Sequence, residues 1–182
     1  MDKPELIKQI NATIGKRKVL ELSKILSDQN FALRDLIDIT FHPDKNIAFR
    51  AAWLLENVFL LNPGSYLPDL EYLLTKFKDV SNPSCQRHYA KIIMHVTDPK
   101  ASQKIKDKIQ SIEFEPIVEQ LFEWLIDPKT KIAVKVFAAE ALFNLRWRYT
   151  WINEELANQL QFLMRNGTAA IQSRGKRLLG KM

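Results

Sequence analysis

A chain of 182 residues, 46% of them apolar and 26% charged, suits one domain or one short repeat array and is too apolar for wholesale disorder. Its formal charge is +6, and a single cysteine, Cys85, excludes an intramolecular disulfide and points to a reducing compartment. The start, MDKPELIKQI, has no apolar signal core and no later run approaches a membrane span, so a cytoplasmic protein that stays out of membranes is expected, as a monomer.

In chain order, Pro4 suits a first helical turn, and Leu6, Ile7 and Ile10 supply a short apolar stripe. Gly15 punctuates, after which Val19, Leu22, Ile25 and Leu26 repeat at helical spacing. Asn30 is the expected N-cap of a helix with Leu33, Leu36, Ile37 and Phe41 on one face. His42-Pro43-Asp44 then turns the chain into an almost wholly apolar helix ending near Leu61. Beyond Asn62-Pro63-Gly64, Tyr66, Leu70, Leu73, Leu74 and Phe77 read as one helix, with Pro68 in its first turn.

Asn82-Pro83 opens a helix carrying Cys85, Tyr89, Ile92, Ile93 and Val96. Residues 98–112 read as a lysine-rich extra helix, apolar along Ala101, Ile105, Ile109 and Ile112. Pro116 starts the next helix, Asp127-Pro128 reads as cap plus first turn of another, and Thr150 as the cap of a third. After Asn166-Gly167-Thr168 the last helix ends basic, and no stretch alternates with the period of a strand.

The second helices share a pattern. Arg50, Arg87, Lys135 and Gln172 form a basic or polar column with spacings of 37, 48 and 37 residues. The inserted helix accounts for the longer interval. Three residues later come Trp53, Ala90, Ala138 and Gly175, and seven later Asn57, Met94, Leu142 and Leu179. A period near 40 residues built of helix pairs resembles HEAT and armadillo repeats. Asp127-Pro128, Val134-Lys135, Ala138-Ala139 and Leu142 carry that resemblance best. It implies an all-α fold over residues 1–182: a right-handed α-α superhelix of about five helical hairpins plus one inserted helix, in a single HEAT-like domain.

Candidate chemistry is sparse. His88 and His95 are seven apart on a helix, too far to chelate one ion, with His88 expected at the surface and His95 at an edge. The five glycines are dispersed, with neither dinucleotide nor Walker spacing. Cys85 reads as a buried structural thiol. No catalytic residue, metal site or cofactor is expected. Glu56 with Asn57, and Glu140 with Asn144, interrupt apolar helices, and a carboxylate there needs a partner. For Glu140 that partner is Arg146, Arg148 or a group on a neighbouring repeat. Arg50 is expected to pair with a carboxylate such as Asp44.

From Asn144 onward seven basic residues face only Glu154 and Glu155. Arg146-Trp147-Arg148-Tyr149-Thr150-Trp151 is the densest aromatic–basic cluster. Arginine and tryptophan are favoured in protein interfaces and also stack on bases. The candidate binding residues are therefore Glu140, Asn144, Arg146, Trp147, Arg148 and Trp151.

The expected function is a non-enzymatic scaffold receiving a protein or peptide on the concave face of the array. The alternative is a nucleic-acid enzyme similar to the HEAT-like DNA alkylation-repair glycosylases, which use an aspartate with tryptophans on facing helices. Here Trp53 stands with Asn57 and Trp151 with Glu155, without that aspartate, so nucleic acid is the less favoured partner. HEAT-like repeats also occur in bilin lyases, whose activity no residue pattern of this chain supports.

Overall fold

The structure is a computed structural model and describes residues 1–12, 15–29 and 31–182. The expected cap Asn30 lies outside the described residues. Among them all regular structure is helical, in eleven α-helices. These are α1 (Lys3–Ala12), α2 (Gly15–Asp28), α3 (Leu33–Ile39), α4 (Lys45–Leu61), α5 (Leu70–Thr75) and α6 (Pro83–Val96), then α7 (Gln103–Ser111), α8 (Glu115–Ile126), α9 (Ile132–Leu145), α10 (Ile152–Met164) and α11 (Ala169–Leu179). The chain forms two compact units, Met1–Ile92 and Ile93–Met182, with the division inside α6.

In the first unit α4 is the central element, packed against α1, α2 and α3. Its start follows from the turn. Asp44 caps the helix by accepting from the N–H of Asn46 at 2.8 Å and of Ile47 at 3.3 Å. The Asp44 N–H donates in turn to Nδ1 of His42 at 3.0 Å. Ile47, Ala51, Leu54, Leu55, Val58 and Phe59 of α4 are buried, so this helix is enclosed on several sides.

A second set of contacts ties the first helices of the hairpins together. Asp38 on α3 accepts from Lys3 of α1 at 3.1 Å and from the Tyr72 hydroxyl of α5 at 2.5 Å. Deeper in, the hydroxyls of Thr40 and Tyr89 meet at 2.8 Å, linking the end of α3 to α6.

The stretch expected as one helix through Tyr66 and Phe77 is broken. Pro63–Asp69 is a 3-10 segment, α5 lasts six residues, and a 3-10 turn covers Phe77–Asp79. Two prolines in seven residues remove backbone donors, which prevents a continuous α-helix there.

In the second unit α8 packs on α9, and α9, α10 and α11 contact one another. The extra helix α7 buries Ile105 and Ile109, as its apolar stripe predicts. Asp127 does not cap α9. It closes a turn by accepting from the Lys129 N–H at 2.8 Å, and the helix starts five residues later, at Ile132. Trp151, not Thr150, stands at the N-cap of α10.

The basic or polar column has a physical role. Arg50 donates to the Ile10 and Asn11 carbonyls at 3.1 and 2.7 Å, at the end of α1, and not to Asp44. Lys135 donates to the Leu125 carbonyl at 2.9 Å, at the end of α8. Gln172 donates to the Met164 carbonyl, at the end of α10. Each long donor thus satisfies carbonyls that a helix terminus leaves unpaired. Arg87 is released from this duty, because its neighbour Gln86 donates to the Val80 carbonyl at 3.0 Å.

The small column is shifted in one hairpin. Ala90, Ala138 and Gly175 are buried, and at Gly175 the approach is close, since a Cβ there would run into the Met164 side chain. In α4 the corresponding buried small residue is Ala52, while Trp53 turns half outward and stacks on Phe49 at 5.9 Å.

Candidate functional site

Helix α9 positions the candidate residues by its length. Glu140 and Asn144, four apart, face the same way near its end. Glu140 accepts from both Arg174 and Arg177, which stand three apart on α11. Its partners therefore come from the neighbouring repeat, not from Arg146 or Arg148. Asn144 donates to the Met94 carbonyl at 3.2 Å and to the Thr97 hydroxyl at 3.4 Å.

The helix stops at Leu145, and the aromatic–basic run forms the turn that follows. Arg146 is buried, its guanidinium 3.5 Å from the centre of the Phe143 ring and 4.6 Å from that of Trp147. It also donates to the Phe143 carbonyl at 2.6 Å. Arg148 reaches the end of α7, donating to the carbonyls of Ile109 at 2.8 Å and Ile112 at 2.7 Å. Both arginines therefore act on the protein itself: one supports the Trp147 ring, the other ties the turn to α7.

Trp147 is 74% exposed, while Trp151, at 46%, stacks on Phe122 with ring centres 5.5 Å apart. Trp147, Arg148 and Asn144 come together on one cleft of about 460 Å³. Val96, Ile109 and Leu145 give it an apolar wall, and Asp98 and Lys106 mark its charged rim. Glu140, Arg146 and Trp151 lie off this cleft. Trp151 lines a shallower groove of about 370 Å³ with Phe122 and Ile126, bordered by Glu119, Glu123 and Glu155.

A second polar cluster escaped the sequence reading. His88 is 2% exposed, not at the surface, and its Nδ1 lies 2.6 Å from Glu56 Oε2. The other Glu56 oxygen takes Lys91. Burial works to raise the Glu56 pKa, but the hydrogen bonds and charges of His88 and Lys91 outweigh it and hold the carboxyl below its ordinary value.

The arrangement repeats the one at Glu140. In each unit a carboxylate on one second helix accepts from two side chains three apart on the next, His88 and Lys91 or Arg174 and Arg177. The signal available in the sequence was that pair of basic residues at i, i+3, facing an isolated glutamate one repeat earlier.

Cys85 is buried beside the Thr40 carbonyl, and burial pushes its thiol up to about 12, which makes it unreactive at neutral pH. Among the described residues no three metal-ligating side chains gather, and no helix is long and apolar enough to cross a membrane. A family model described as a HEAT repeat domain matches residues 6–182. No curated protein matches the sequence.

Proposed function

The chain belongs to the HEAT repeat domain family, and from that premise we propose that it is a non-enzymatic binding module whose second unit seats a partner protein segment at the end of α9. The observation that carries this reading is Trp147. A tryptophan ring 74% exposed at the rim of an apolar cleft is a costly surface group unless a partner covers it. The ring is also held in place, because Arg146 stacks against it. Such an anchor loses little freedom when it binds.

The cleft suits an apolar side chain flanked by backbone amides. Its apolar wall takes the side chain, while Asn144 Oδ1 and the rim groups Asp98 and Lys106 offer hydrogen bonds at the edge. Seating the partner here moves the expected contact from the faces of the second helices to their C-terminal ends.

Nucleic acid remains the less favoured partner. Arg146, Arg148, Arg174 and Arg177 all donate to acceptors within the protein. Four of the seven basic residues of this end are thereby spent on holding the fold, which leaves few for phosphates.

Selection from a random peptide library tests the proposal. Sequences with a bulky apolar residue should be enriched on the wild-type protein. Trp147→Ser should weaken them by at least about tenfold, the loss of roughly 1.4 kcal/mol expected for one interface anchor. Enriched peptides that bind the Trp147→Ser variant equally well would place the binding surface elsewhere.

A further inference from the structure

The first unit holds a different kind of cleft, about 420 Å³, lined by Lys16 of α2, Phe49, Trp53, Glu56 and Asn57 of α4, and Arg87, His88 and Lys91 of α6. We propose that this cleft binds a phosphate monoester. Three cations from two helices converge there against one carboxylate. Glu56, 5% exposed, is engaged by His88 and Lys91 and offsets the charge of Lys91 alone, so Lys16 and Arg87 stay uncompensated. Lys16 and Arg87 have no hydrogen-bond or ion-pair partner among the described residues.

Arg87 is the telling member. Its counterparts Arg50, Lys135 and Gln172 are consumed at helix ends, whereas Gln86 takes over that duty and frees the Arg87 guanidinium for the cleft. His88 supplies an independent indication. Its ring is 2% exposed and fixed through Nδ1, yet Nε2 has no partner among the described residues. A buried ring nitrogen left unpaired is costly; with Nδ1 donating to the Glu56 carboxylate, Nε2 of an imidazolium donates to a phosphate oxygen and Nε2 of a neutral ring accepts from a phosphate hydroxyl.

The chemical class follows from the donor set. A phosphate monoester carries close to two charges and three acceptor oxygens. That matches a guanidinium, two ammonium groups and a ring nitrogen better than a single carboxylate would. A planar carrier suits the walls, since Phe49, Trp53 and His88 form a ring cluster with centres 5.7 to 6.4 Å apart. Such a monoester comes either from a nucleoside monophosphate or from a phosphotyrosine side chain.

Calorimetric titration of the full chain with adenosine monophosphate and with a short phosphotyrosine peptide tests the site. At least one should bind saturably, and its unphosphorylated counterpart should not. The double variant Lys16→Glu with Arg87→Glu should weaken binding by at least about tenfold. Both positions are exposed and bonded to nothing among the described residues, so circular dichroism and the thermal midpoint should stay unchanged. Tighter binding of the nucleotide identifies a nucleotide site, and tighter binding of the peptide a phosphoprotein site. Either ranking supports the proposal. Failure of both probes to bind, or affinity unchanged in a folded double variant, overturns it.

Discussion

Glu56 lies among Leu54, Leu55, Val58 and Phe59 in a helix that is otherwise enclosed, and it stays charged only because His88 and Lys91 answer it. Its folded pKa is held below the ordinary 4.5, so ionised Glu56 stabilises the folded state above that pH. The stabilisation is lost as pH falls from about 4.5 through the lower folded value. Glu56→Gln should therefore cost about 2 kcal/mol near neutral pH, the scale of hydrogen bonds to a charged group. Urea unfolding of both proteins at pH 7 and well below pH 4 checks this. The gap between them should narrow on acidification; a gap independent of pH would mean that the carboxylate charge is not what holds the cluster. The need for a partner was legible in the sequence, since a glutamate replaced an apolar residue in both α4 and α9. The partner's identity was not, because it stands 32 to 37 residues away and depends on which helix face turns inward. That ambiguity also misplaced His88. Seven-residue spacing tells that two histidines share a face without telling whether the face is buried.

The helices were read well where a strong local signal exists and poorly where signals compete. His42-Pro43-Asp44 fixes the start of α4 by capping geometry, and that start is where the sequence puts it. Asp127-Pro128 carries the same residue types but forms a closed turn, and only the three residues after it bring the chain into register for α9. The repeat columns were legible as periodicity, while their roles needed the tertiary partner: the polar column caps helix ends 8 to 40 residues away. Ala138 tests the packing column. It is fully buried in α9, which contacts α8, α10 and α11. Ala138→Leu should destabilise the protein by about 1–3 kcal/mol through overpacking, measured as a lower urea midpoint with an unchanged slope. An unchanged midpoint would mean that the helices can part there without cost. Trp53 shows the limit of column reasoning. A one-residue shift buries Ala52 and frees the indole for the cleft of the first unit.

For the molecule as a whole, the formal charge of +6 and its concentration after Asn144 suggest a surface for nucleic acid, yet charge in a sequence does not say where the charge is spent. Arg146 lies under Trp147, Arg148 ties the turn to α7, and Arg174 and Arg177 close on Glu140. What remains at that end is Arg165, Lys176 and Lys181, too few for a track of phosphates. The function proposed for this HEAT repeat chain is to hold a protein segment and not a nucleic-acid duplex, and a salt titration of DNA binding tests that proposal most directly. Fluorescence anisotropy with a labelled duplex should show weak binding at low salt that disappears near about 150 mM. The logarithm of the binding constant should fall by no more than roughly 0.9 for each of two or three phosphates per decade of salt. Sub-micromolar binding that persists at that salt, with a slope reporting six or more neutralised phosphates, would contradict the account.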